Sequence, residues 1–135
     1  MSNTMSNTIN QLDDFTLAYI EAALWSTNDE SDESGGEPLD SNYGLDDLAP
    51  ETLAAIVEDC RRFQQENVND LASYDHPRYS AAEMGGHDFL LTRNGHGCGF
   101  WDGDWPEEAG ERLTAAAEKC GEFNLYVGDD GLLYA

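Results

Sequence analysis

The sequence predicts an α+β fold: a small antiparallel sheet of two β-hairpins with a helix between them, packed with two N-terminal helices. Three observations carry this reading. Apolar residues recur at helical spacing in two stretches of the first half. Asn94-Gly95 stands between two short apolar segments, and both central residues of a type I′ hairpin turn need positive φ. Asp129-Asp130-Gly131 separates LYV from LLYA, which suits a type I turn followed by a glycine bulge.

Residues 1–10 carry the repeat MSNTMSNT and read as a frayed tail, polar and without the basic and apolar parts of a leader peptide. The first helix starts at Leu12. Leu12, Phe15, Tyr19 and Ala22 share one stripe, Leu17, Ile20 and Leu24 lie beside it, and the helix should stop near Ser26 and Thr27. Residues 28–47 hold eight acids, a Gly-Gly pair and no base, and read as an acidic loop, mobile in part. Leu39, Tyr43, Leu45 and Leu48 can pin its second half to the body.

Pro50 suits the first position of a second helix, with Glu51 where the dipole favours an acid. The spacing of Leu53, Ile56, Val57, Cys60, Phe63, Val68 and Leu71 carries it for about 20 residues. Ser80 and Glu83 form a capping box that opens a short turn, ended by Gly85 and Gly86. Residues 87–135 then read as a hairpin, helix, hairpin platform. With Asn94-Gly95 at the turn, Arg93 faces His96, Leu91 faces Cys98, Phe89 faces Phe100 and His87 faces Asp102. Pro106, Glu107 and Glu108 open the third helix, and Gly121 closes it.

The length of 135 residues favours a single domain, 1–135, large enough to bury a core without staples. No run of about 18 apolar residues occurs, so nothing reads as a membrane-spanning helix. Cys60, Cys98 and Cys120 are odd in number and widely spaced, forming neither a CxxC pair nor a zinc pattern. They read as reduced, buried thiols of a cytoplasmic protein.

Catalytic motifs are missing. There is no GxSxG, P-loop, dinucleotide fingerprint or HExxH, and no catalytic residue, metal or cofactor is assigned. One constellation remains: His87, Asp88, Asp102 and Asp104, brought together by the hairpin register. A carboxylate on an imidazole is the start of a general base or metal site. Against this, His96 would lie about 13 Å along the strand from His87, and Asp102-Gly103-Asp104 lacks the other positions of a calcium loop. A structural His–Asp pair is the favoured reading, with a small enzyme or metal-binding domain as the alternative. Gly95, Gly97 and Gly99 read as a turn residue and two points of close packing against Trp101 or Trp105. Among Trp25, Trp101 and Trp105, an exposed ring would mark an interface.

The charge is the feature that speaks to function. Twenty-eight acids face six bases, a net of −22, and Lys119 is the one lysine. Such a chain repels nucleic acid and anionic membranes and attracts basic surfaces. The charge is densest over 28–59, where Asp29, Glu30, Asp32, Glu33, Glu37, Asp40, Asp46, Asp47, Glu51, Glu58 and Asp59 occur without a base. Carboxylates at helical spacing sit ~5 Å apart, and duplex DNA carries a charge per ~1.7 Å of axis. An acidic helix beside an acidic loop can therefore approach a phosphate row, with Tyr43 as an aromatic anchor for docking. The competing readings are a solvated or salt-adapted surface, an activity without a known motif, and a structural protein with no activity of its own.

Three segments carry a resemblance: GHDFLLTRNGHGCGFWDGD from Gly86 to Asp104, LYVGDDG from Leu125 to Gly131, and AYIEAALWS from Ala18 to Ser26. Together they resemble a family of small acidic proteins encoded by tailed bacteriophages and related mobile elements, with an HDFxLTRNGHGxGFWD hairpin motif. The resemblance covers most of the chain past residue 15. It implies a bacterial cytoplasm during phage infection but no activity, and it carries over no functional residue. Phage context with strong negative charge suggests a nucleic-acid-mimicking inhibitor of a host defence or DNA-processing factor, by charge and genome type rather than by motif. The expected partner is the basic surface of a host nucleic-acid-binding protein, with no direct contact to nucleic acid or membrane.

Overall fold

The structure, a computed structural model, describes residues 12–29, 36–95, 98–101 and 104–135. Helices dominate: α1 (Asp14–Ser26), α2 (Pro50–Glu66), α3 (Val68–Ala72), α4 (Ala81–Arg93) and α5 (Glu107–Lys119). Among the described residues, two short antiparallel ladders accompany them. β1 (Asn28–Asp29) pairs with β2 (Glu37–Pro38), and β3 (Tyr126–Val127) pairs with β4 (Leu133–Tyr134). The fold is α+β, as the patterning predicts, but only one of the two expected hairpins is present.

Asp13 caps α1, its carboxylate accepting from the Thr16 N–H at 2.9 Å and from Gln64 on α2 at 3.1 Å. Burial pushes the Asp13 pKa up, but these hydrogen bonds outweigh it and hold the group below the ordinary carboxylate value. The helix ends at Ser26, as expected. The acidic segment is not featureless, since β1 ties its start to β2 at its middle and Leu39–Ser41 and Leu45–Asp47 form 3₁₀ turns. Leu39 and Leu48 are buried, and Tyr43 and Leu45 pack against the core. Pro50 opens α2, which breaks at Asn67, whose side-chain amide donates to the Phe63 carbonyl at 2.9 Å. The expected single long helix is therefore two, and Val68 faces solvent rather than the core.

The main correction falls on residues 81–95. Ser80 and Glu83 do form a capping box, but the helix they open runs through Gly85 and Gly86 to Arg93. HDFLLT is thus the last half of α4, so Leu91 and Phe89 are helical and not cross-strand partners of Cys98 and Phe100, while His96 and Asp102, the expected partners of Arg93 and His87, lie outside the described residues. Phe89, Leu90 and Leu91 are all fully buried, and a short apolar run of this kind has no period that separates strand from helix. Asn94 and Gly95 terminate the helix. Gly95 has φ +68°, whereas Asn94 has φ −94°, so the positive φ serves a helix end instead of a type I′ turn.

Beyond it, Pro106 precedes α5, which Gly121 at φ +76° closes. The last hairpin forms as expected, with Tyr126 opposite Tyr134, Val127 opposite Leu133, and Gly131 at φ +82°. Leu133 also bridges Leu48 in parallel, and its carbonyl accepts from the Ala49 N–H at 3.0 Å. The final strand thereby anchors the start of α2.

The core is strongly aromatic. Phe63 of α2 stacks on Phe89 of α4 at 4.0 Å between centroids, with Phe15 and Tyr19 of α1 tilted against Phe89. The close approach of α1 to α4 is set by glycine. A Cβ on Gly86 would collide with the Phe15 carbonyl oxygen and lie 2.8 Å from its carbon and 3.1 Å from the Tyr19 nitrogen.

Gly86→Ala should therefore destabilise the fold by about 2 kcal/mol or more in urea unfolding, because overpacking outweighs the roughly 1 kcal/mol that alanine gains in a helix. Asp13→Ala should cost about 1 kcal/mol at neutral pH. Because the folded pKa of Asp13 is depressed, its contribution is present above the ordinary carboxylate value. The gap between wild type and Asp13→Ala should close as pH falls through the folded value.

Candidate functional site

Asp88, Thr92, Arg93 and Asn94 of the HDFLLTRN segment point inward and hold the fold together. The Asp88 carboxylate is buried, accepting from the Trp105 indole N–H at 2.8 Å and lying 3.1 Å from His87 Nδ1. Thr92 Oγ1 accepts from the Phe100 N–H at 3.1 Å. Asn94 clasps Phe123 in both directions, donating to its carbonyl at 2.9 Å and accepting from its N–H at 2.7 Å.

Arg93 is the most connected of them. Its guanidinium donates to Tyr19 Oη at 3.0 Å, Asp59 Oδ2 at 3.0 Å, the Cys120 carbonyl at 2.9 Å and the Gly121 carbonyl at 2.7 Å. The Phe89 and Phe123 rings lie within 5.3 and 5.6 Å of it, within reach of cation–π attraction. Burial works against the charge, but the Tyr19 and Asp59 oxygens more than offset it, and the pKa lies above the ordinary arginine value.

The hairpin register that would gather the His87-centred constellation is replaced by a helix at His87 and Asp88. His87 is half-buried on α4 beside the Asp88 carboxylate, its neighbour in sequence. Asp104 is exposed. Asp102 and His96 lie outside the described residues. Among the described residues, no three His, Cys, Asp or Glu side chains come together as a metal site. What the residues form is the structural linkage from Asp88 to Trp105, which positions the loop before α5.

The acids of residues 28–59 divide into two groups. Asp59 is committed to Arg93, Glu58 to Arg61 at 2.6 Å and Arg62 at 3.4 Å, and Asp47 Oδ2 accepts from the Gly44 N–H at 2.8 Å. Glu37, Asp40, Asp46 and Glu51 are exposed, and Asp29 is half-buried. Tyr43 is half-buried and packs against the core. Glu30, Asp32 and Glu33 lie outside the described residues. The negative surface also extends past this segment, since Glu107, Glu108, Glu111 and Glu118 on α5 and Asp129 and Asp130 in the last hairpin are exposed.

A groove that the charge pattern does not announce runs between the outer faces of α1 and α4. It encloses about 690 Å³, and its floor is Leu17 and Leu24 from α1 with Met84 from α4. Trp25 and Tyr79 border it with 40% and 48% of their surfaces exposed, and the His87 ring lies 5.8 Å from the Trp25 ring. Its signal in the sequence was present but unread: α1 is apolar on nearly every side, more than one core-facing stripe requires. Trp101 is also exposed, at 48%, while Trp105 is buried. Of the cysteines, Cys60 is buried, Cys98 half-buried and Cys120 exposed, so burial holds fully for Cys60 alone. Gly99 packs closely, as a Cβ there would meet Thr92 and Trp101.

Compared with models of known families, with curated proteins and with solved structures, the chain finds no match. Among the described residues, no helix is long and apolar enough to cross a membrane.

The buried guanidinium gives a stability test. Arg93→Met should cost about 3 kcal/mol or more in urea unfolding, because it strands the Asp59 charge and several carbonyls. Arg93→Lys keeps the charge but lacks the planar fork, and should recover only part of the loss.

Proposed function

We propose that the chain is a bacteriophage accessory protein that binds a host nucleic-acid-binding protein through an acidic surface and thereby inhibits or modulates it. The bound surface is the basic one that nucleic acid would otherwise occupy. The observation that carries this reading is the net charge of −22 together with the fate of the bases. Among the described residues, Arg61, Arg62, Arg93 and Arg112 are engaged in ion pairs with Glu58, Asp59 and Asp70. Four of the six bases are thus paired with acids of the chain itself, Arg78 and Lys119 are exposed, and carboxylates outnumber them along the loop, α5 and the last hairpin. A surface of this sign steers basic partners toward it and repels nucleic acid and anionic lipid. The phage-like segments Gly86–Asp104 and Leu125–Gly131 support the setting of an infected bacterial cell.

The tagged protein should retain identifiable basic, nucleic-acid-binding proteins from bacterial lysate at ~20 mM salt, and release them at ~0.5 M as screening shortens the reach of its charges. Duplex DNA added in excess should compete for the retained protein. Retention of no basic protein at low salt, or indifference to DNA, would count against the proposal.

A further inference from the structure

We infer that the groove between α1 and α4 seats a basic amphipathic helix of the partner protein. The inference deepens the proposed function and rests on its reading that the partner is basic. Two independent features of the groove define the occupant.

The first is shape and polarity. Leu17, Leu24 and Trp25 of α1 follow helical spacing, and Met84 and His87 of α4 run alongside them. Two packed helices leave between their outer faces a furrow into which the side chains of a third helix fit. An amphipathic helix laid in such a groove is a recurrent way to bind a partner, reading it through apolar side chains at i, i+3, i+4 and i+7. Leu17 and Met84 are only half-buried, so apolar surface is available for such contacts.

The second is charge. Asp14, Glu21, Asp40 and Glu83 stand around this apolar floor, and no lysine or arginine lines it among the described residues. Arg78 precedes Tyr79 in the chain but does not border the groove. An apolar floor within an acidic rim excludes an acidic or purely polar helix. It accepts one whose apolar face is flanked by lysine or arginine. Trp25, 40% exposed and beside the His87 ring, borders the groove one helical turn after Glu21, so an aromatic surface and a carboxylate stand together on the same face of α1. Asp40 belongs both to this rim and to the acidic segment 28–47, so the groove is continuous with the charged surface that brings the partner in.

The probe is a synthetic peptide of about 18 residues, long enough to form a helix on binding, with leucines on one face and arginines on its flanks. A second peptide of the same composition is scrambled so that it has no apolar face. Fluorescence anisotropy of the labelled peptides against the full chain reads the affinity. The patterned peptide should bind at least about tenfold tighter than the scrambled one. Trp25→Ala and Glu21→Gln should each weaken it about fivefold or more, the scale of an interface hot spot. Glu111→Gln, which removes one charge away from the groove, should change it less than about twofold.

Equal binding of the two peptides, or a Trp25→Ala protein that binds as well as wild type, overturns the groove. If both peptides still bind at low salt in that case, the basic-partner reading survives; if neither binds at low salt, that reading falls as well. Tyr79→Ala serves as a second groove variant should Trp25→Ala fail to fold by circular dichroism. A concentration-dependent dimer in light scattering that Trp25→Ala abolishes would assign the groove to a second copy of the chain, and would also overturn the inference.

Discussion

One buried guanidinium organises this fold. Arg93 lies at the C-terminal end of α4, where the helix dipole favours a cation, yet it is almost out of reach of water. A charge in that position is tolerated only when its donors are met. Four acceptors meet them: a phenol from α1, a carboxylate from α2 and two carbonyls from the end of α5. All of these segments must be in place for the whole set to be satisfied. Thr92 and Asn94, its neighbours in the chain, fix the Phe100 loop and the Phe123 segment in the same way. Three consecutive side chains thus decide where the second half of the molecule runs.

The parts of the fold legible in the sequence are those with local causes. Pro50 and Pro106 open helices, Ser80 and Glu83 cap one, and Gly131 with its positive φ shapes the final hairpin. Residues 87–102 were misleading because their causes are remote. Phe89 to Leu91 are apolar in a row since α4 is covered on most sides, and Gly86 is glycine because α1 crosses it, which spacing along one segment does not reveal. Asn94-Gly95 is chemically as good a helix end as a hairpin turn. The acidic segment was legible in composition but not in use. That Asp59 serves Arg93 and Glu58 serves Arg61 and Arg62 depends on which residues become neighbours in space.

Folding has also separated two roles that the sequence mixes. Acids near the few arginines and helix ends stabilise the molecule, as Asp13, Glu58, Asp59 and Asp70 do. The carboxylates left on the surface repel one another and weaken the compact state. The aromatic core and the polar links around Asp88 and Arg93 sustain the structure against that repulsion. A core of this kind allows the exterior to hold a charge that a weaker interior would not.

The partners of Arg93 are also far from it along the chain, at separations of 74, 34, 28 and 27 residues. Mostly helical proteins ordinarily fold fast because their contacts are local. Here the individual helices form from local signals, but the central hydrogen bonds wait for distant segments to meet, and the loop-closure entropy is lost before they contribute. Assembly of these distant segments, more than helix formation, should therefore set the folding barrier. In kinetic terms, these long-range links should slow this helical chain toward the rates of β-rich proteins, whose contacts are also distant in sequence.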